Sequence, residues 1–313
     1  MTTQTTQTDN GTVKAAFQSE IHIVEQALEA VERLMYDVVN SEVEVLRDAS
    51  RHILEAGGKR FRPRVSLLSF AATGGADLMT AVPPAAAVEL VHTASVVHDD
   101  INDHGVVRRG RPSVNAIWGR TFALLTGDFL FTKVYELMAP YKDLNILLAQ
   151  AATALVEGET LQASAVKNKN LNSEIYFRII GLKTAALFKS GATIGARLSG
   201  ATEAEVEALG EYGYNIGLAF QIIDDILDVV GDEAQLGKTA GLDAQQGKGF
   251  AAVQDDPIAS VKQKLMEGNR LERARLQAHQ LVESAVELLA IIPPSPYKDE
   301  LVRLAHGVVE RDF

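Results

Sequence analysis

The chain has 313 residues, 47% of them hydrophobic and 23% charged, with no cysteine and a formal net charge of -11. This composition supports a large core and excludes a disulfide scaffold, a thiolate metal site and a thiol nucleophile. The acidic balance excludes general nucleic-acid binding, which needs a basic face. An acidic protein that handles anions needs local basic clusters or bound cations instead.

Met1 to Gly11 is rich in Thr and Gln and has no apolar core behind a basic start, so it is not a secretory signal. Residues 1–15 are expected as a disordered tail and residues 16–313 as one domain. Ile21, Val24, Leu28 and Val31 recur at three- and four-residue steps, and Val43, Leu46, Ile53 and Leu54 continue the helical pattern. Gly57-Gly58-Lys59-Arg60-Phe61-Arg62-Pro63 is the densest basic segment, and cations beside a flexible glycine pair suit a diphosphate. The longest apolar stretch, about 81–97, is broken by Pro83-Pro84, Glu89 and His92, and no uninterrupted run reaches the ~18–20 residues that span a bilayer.

Asp99-Asp100-Ile101-Asn102-Asp103 follows directly. On a helix, Asp99 and Asp103 share a face one turn apart. Arg108-Arg109-Gly110 begins five residues later. Further on, Lys183-Thr184 precedes a small apolar helix, Ala185 to Ala196, and Thr202-Glu203-Ala204-Glu205 reads as a capping box. Asp224-Asp225-Ile226-Leu227-Asp228 repeats the first acidic spacing. Gly231 to Gly249 carries five glycines and reads as a polar loop holding Lys238, functional or mobile. Strand-like alternation is scarce, and hairpin dipeptides are almost absent: Asn10-Gly11 lies in the tail and there is no Asp-Gly. The expected fold is therefore all-α, a single-domain helical bundle.

One Asp-Asp-x-x-Asp could be a solvated helix face. Two copies, each beside apolar residues, place carboxylates where they are costly unless a cation neutralises them. Magnesium prefers hard oxygen ligands and often binds through one or two carboxylates plus substrate phosphates. The alternating oxygen ligands and central glycine of a calcium-binding EF-hand loop are missing.

Together these motifs resemble the trans-isoprenyl diphosphate synthases, or polyprenyl synthetases, from about residue 20 to the C-terminal Leu304–Asp312. The resemblance rests on Gly-Gly-Lys-Arg-x-Arg-Pro, the first aspartate-rich motif with its Arg-Arg-Gly, the Lys-Thr pair, and Phe220-Gln221-x-x-Asp-Asp-x-x-Asp, in that order. It implies an isoprenoid-synthase bundle around a deep central cavity, a homodimer, and three magnesium ions per active site. Asp99 and Asp103 would ligate ions bridging the allylic diphosphate, with Asp100 supporting, and Asp224 would ligate a further ion with Asp225 and Asp228 near it. Arg108, Lys183, Thr184, Gln221 and Lys238 would contact the allylic substrate. Lys59, Arg62, His92 and Arg109 would hold isopentenyl diphosphate.

The implied reaction is ionisation of the allylic diphosphate, attack by the alkene of isopentenyl diphosphate, and loss of a proton to the released diphosphate. Ala94 and Ser95, about one turn before Asp99, are small and would leave the product tunnel open, which implies a long-chain product; Phe129, Phe131 or Tyr135 could form its floor. A synthase stopping at farnesyl or geranylgeranyl length is the main alternative. A class I terpene cyclase and a non-catalytic partner subunit fit less well, because both Asp-Asp-x-x-Asp motifs are intact. The family pattern Gly-Lys-x-Thr-Leu-Pro is replaced by Gly247-Lys248-Gly249-Phe250-Ala251-Ala252-Val253, and the stretch after it is shortened. A cytoplasmic enzyme is expected, not an integral membrane protein, although its product would enter membranes.

Overall fold

The computed structural model describes residues 7–230, 248 and 269–310. The polar loop with Lys238, and the shortened stretch that follows Lys248, lie outside the described residues. Among the described residues the chain is a helical bundle: α1 (Gln7–Val38), α2 (Glu44–Glu55), α3 (Phe61–Ala72), α4 (Val82–Asn102), α5 (Val114–Met138), α6 (Lys142–Asn168), α7 (Ser173–Ile180), α8 (Ala186–Ser199), α9 (Glu203–Val230), α10 (Asn269–Leu288) and α11 (Pro296–Val309).

The predicted stripe of α1 is realised, with Val24, Leu28 and Val31 buried. The helix also extends upstream to Gln7, so much of the expected tail is helical. Lys14-Ala15-Ala16 are good helix formers, and no proline interrupts propagation from the packed turns. Val43, expected on the apolar face of α2, is instead its exposed N-cap residue.

Helix α4 runs through the core. Leu78–Asn102 is long and apolar enough to cross a membrane by length and composition, but 78% of its apolar 18-residue window is buried in the protein, as in a core helix. Pro83 and Pro84 sit in its first turn, where proline's missing N–H costs nothing. Arg60 ties α4 to its neighbours, donating to Glu89 on α4 at 3.1 Å and to Glu32 on α1 at 3.0 Å.

A two-residue hairpin was not expected. β1 (Val107–Arg108) pairs antiparallel with β2 (Arg111–Pro112). Its turn is Arg109-Gly110, both left-handed at φ 51° and 72°. Paired left-handed residues give the turn whose twist suits a tight hairpin; Arg-Gly fills it in place of Asn-Gly or Asp-Gly.

Helices α7 and α8 are joined without a break by a π turn, Gly181–Ala185, so Lys183 and Thr184 fall on the irregular turn, not ahead of a fresh helix. Helix α9 opens on the expected capping box: Thr202 N–H donates to Glu205 Oε2 at 2.8 Å, and Glu205 N–H donates back to Thr202 Oγ1 at 3.3 Å. Its buried Tyr212 hydroxyl donates to the Leu301 carbonyl on α11 at 2.7 Å. Tyr212→Phe should therefore lower unfolding free energy by about 1 kcal/mol, read from urea denaturation midpoints, and leave helix content by circular dichroism unchanged.

Candidate active site

Asp99 and Asp100 occupy the last turn of α4 and Asp103 is its C-cap, whereas Asp224, Asp225 and Asp228 lie along α9 before Val230. Asp99, Asp100, Asp103, Asp224 and Asp225 line one cavity of about 570 Å³, together with Lys59, Arg62, His92, Arg108, Arg109, Lys183, Thr184 and Gln221. Asp228 is 1% exposed and stands behind that wall.

Each acidic group has a distinct environment. Asp99 faces Lys183 Nζ at 3.3 Å. Burial pushes its carboxyl up to about 6; Lys183 opposes this, while Glu159 and Asp103 add to it. Asp103 pairs with Lys248, so the lysine of the altered segment reaches the first motif. Asp100 accepts from Arg108 Nε at 3.0 Å and Nη2 at 2.6 Å on a single oxygen. That contact orients Arg108 into the cavity and gives Asp100 a partner other than a metal. Asp225 accepts from the Tyr176 hydroxyl and from Gln221 Nε2, each at 2.8 Å.

Lys183 also pairs with Glu159 on α6. Burial would lower the Lys183 pKa, but Asp99 and Glu159 hold it well above its usual value. Gly158 allows this contact: a Cβ there would lie 2.8 Å from the Lys183 backbone nitrogen, so α6 touches the π turn only without a side chain at this position.

The second basic group forms the opposite wall. Gly58 is left-handed, with φ +152°, and a Cβ on it would lie 2.7 Å from Arg109 Nη1. The glycine pair thus brings the Lys59–Arg62 segment against the hairpin turn. Arg62 lies with its guanidinium carbon 4.6 Å from the Phe188 ring centroid, the geometry of a cation–π contact. His92 is held well below the usual histidine pKa, first by burial and then by Arg62, Arg109, Arg108 and Arg60. It enters the site as a neutral hydrogen-bonding group among arginines.

Of the two expected tunnel residues, Ser95 lines the cavity and Ala94 is fully buried. The expected floor on α5 is not part of the cavity wall: Tyr135 is 62% exposed, because it projects from the outer face of α5, and Phe131 packs against His98 at 6.0 Å between ring centroids.

The profile of the polyprenyl synthetase family matches residues 43–289. The octaprenyl diphosphate synthase of Escherichia coli K12 is 32% identical over 312 residues, covering 92% of this chain and 96% of that one. The geranylgeranyl diphosphate synthase of Methanosarcina mazei is 34% identical, covering 86% and 91%. A crystal structure of the Caulobacter crescentus CB15 polyprenyl synthase complexed with calcium and isoprenyl diphosphate superimposes with a TM-score of 0.87 at 32% identity, covering 94% of this chain and 98% of that one.

The chain belongs to the polyprenyl synthetase family. The site is accordingly that of a trans-prenyltransferase, and the family uses divalent metal. The donor set fits such a metal. All its acidic groups are hard oxygen donors, and a carboxyl that burial holds up to about 6 is one whose charged form a bound cation would favour. No three His, Asp or Glu side chains among the described residues converge enough to hold an ion by themselves. A divalent ion held by one or two carboxylates would need further oxygen ligands, such as substrate phosphates.

Two polyprenyl synthetase residues were missed from sequence. Glu159 carried a weak signal, a glycine before it and a register facing the Lys-Thr pair. Tyr176 carried none, since one tyrosine on an apolar helix reads as core.

Two outcomes test this geometry. Gly158→Ala should cost about 1–3 kcal/mol by overpacking against the π turn, measured as a fall in thermal midpoint. The second concerns pH. The folded state binds the Asp99 proton more tightly than the unfolded chain does, so this group's contribution to metal-free stability falls as pH rises from about 4 through about 6. Magnesium should therefore raise the melting temperature more at pH 7 than at pH 5; an equal or reversed effect in paired melts would contradict the assignment.

Proposed function

We propose that this polyprenyl synthetase condenses isopentenyl diphosphate head-to-tail (1'-4) with an allylic diphosphate and repeats the step to make a long all-trans polyprenyl diphosphate. One observation carries the reading: a single cavity holds both acidic motifs and the cations Lys59, Arg62, Arg108, Arg109 and Lys183, enough cationic surface for two diphosphates.

Lys183, Arg108 and Gln221, with Thr184 beside them, would hold the allylic diphosphate next to the acidic motifs. Lys59, Arg62 and Arg109 would hold the diphosphate of isopentenyl diphosphate, with neutral His92 hydrogen-bonding to it. Asp99, Asp103 and Asp224 would carry magnesium, which when bound neutralises the charge that gathers on the departing diphosphate. The residues then do two things. Lys183 and Arg108 stabilise the leaving group as the allylic C–O bond breaks and the diphosphate takes the electron pair. The opposite basic wall presents the alkene, which bonds to the allylic carbon. The cation must be kept from water until a proton leaves to re-form a double bond. The released diphosphate, already in the site, is the base.

Long-chain product is supported by Ser95 at the cavity wall and Ala94 behind it, neither large enough to stop a growing chain. Phe122, Leu124 and Leu125 on α5 and Ile146 and Val156 on α6 are large hydrophobic side chains left exposed, and covering such surface supports a homodimer. The enzyme is assigned to the cytoplasm.

Labelled isopentenyl diphosphate, farnesyl diphosphate and magnesium, followed by chromatography of the dephosphorylated products, tests the reading. Products beyond geranylgeranyl length are expected; arrest at farnesyl or geranylgeranyl length would refute the long-chain assignment, and no condensation with any primer would refute the enzyme assignment. Asp99→Ala and Asp224→Ala should each reduce turnover at least about a hundredfold while the folded state survives.

A further inference from the structure

The hydroxyl of Tyr176 on α7, the Asp225 carboxylate and the Gln221 amide on α9, and the Thr184 hydroxyl on the π turn form one continuous chain of hydrogen bonds. Tyr176 donates to Asp225 Oδ2 at 2.8 Å, Gln221 Nε2 donates to Asp225 Oδ1 at 2.8 Å, and Thr184 Oγ1 donates to Gln221 Oε1 at 2.7 Å. Tyr176, Asp225 and Thr184 are 4%, 6% and 5% exposed, so solvent hardly competes with these bonds.

The direction of the chain follows from donor inventory. An ionised carboxylate has no proton to give. Tyr176 and Gln221 must therefore both donate to it, and the Gln221 amide is fixed with nitrogen toward Asp225 and oxygen toward Thr184. Thr184 must then spend its only proton on Gln221. It can accept a hydrogen bond from the cavity but cannot donate one there. Gln221 lines the cavity, and an amide nitrogen carries two protons. One goes to Asp225, which leaves the second N–H as the donor this wall can offer to a diphosphate oxygen.

We infer that Tyr176 is a positioning residue for the allylic site: through Asp225 it fixes the Gln221 amide so that an N–H, rather than a carbonyl, meets the diphosphate. In this role Asp225 acts as the buried anchor of that chain, while Asp224 faces the cavity beside it. The inference rests on the allylic site proposed above.

Calorimetry with unreactive farnesyl thiodiphosphate and magnesium, and separately with isopentenyl diphosphate, tests it. Tyr176→Phe should weaken binding of the thiodiphosphate about five- to tenfold and change isopentenyl diphosphate affinity less than about twofold. Asp225→Asn keeps an oxygen for Tyr176 but turns the Gln221 amide around. It should give the same selective loss, and raising magnesium to saturation should not restore it. Unchanged thiodiphosphate binding in a folded Tyr176→Phe protein, an equal loss for both ligands, or recovery of Asp225→Asn at high magnesium would each overturn the inference; the last would make Asp225 a metal ligand. If Tyr176→Phe does not fold, the magnesium series on Asp225→Asn decides. If the unmutated protein binds no thiodiphosphate, the allylic site itself is wrong, a result separable from failure of Tyr176 alone.

Discussion

The organisation of the site follows from one electrostatic constraint, the convergence of the acidic C-terminus of α4 with the acidic motif on α9. A helix C-terminus already carries about half a negative charge from its aligned peptide dipoles. Adding aspartates there is the reverse of what helix stability favours, and burial makes it worse. The protein meets this with fixed cations: Lys183 against Asp99, Lys248 against Asp103, and Arg108 against Asp100. Each of these pairs also faces the cavity, so the groups that balance the acids in the folded chain are those that anionic substrate would meet.

The basic residues divide by what else they touch. Arg60 lies within the densest basic segment, yet it is 9% exposed and spent on Glu89 and Glu32. Its task is to lock α1, α3 and α4 together. All three residues Lys59, Arg60 and Arg62 reach the cavity, but Arg60 brings its own acids with it. Sequence position alone would give the three the same role; the pairing of Arg60 with two acids from other helices separates them. Close packing completes the arrangement, because Gly58 and Gly158 each let a cationic residue approach backbone from another part of the chain.

Much of this was legible in the sequence because it is local. Periodicity marked α1, the capping box marked the start of α9, and acidic residues four apart marked the helix faces that meet at the cavity. What was not legible depends on contacts between distant segments. The Arg109-Gly110 turn escaped because arginine is an unusual left-handed residue, held here by a hairpin of two-residue strands. Glu159 gains its meaning from Lys183, and Tyr176 from Asp225, partners that lie 24 and 49 positions away. For a related reason, spacing shows that a helix has an apolar face but not which neighbour that face meets: Tyr135 on α5 turns outward.

The π turn between α7 and α8 changes the phase of a helix that otherwise runs straight. A π turn accommodates one residue more than an α-helical turn would, so side chains beyond it are rotated by roughly 100° relative to an unbroken α-helix. The upstream segment can thus aim Tyr176 at the acidic motif of α9 while the downstream segment still lays Phe188 against Phe220. A regular helix would have to choose one alignment. The irregular turn works as a phase adapter, and it places Lys183 and Thr184 at the point where the two alignments meet.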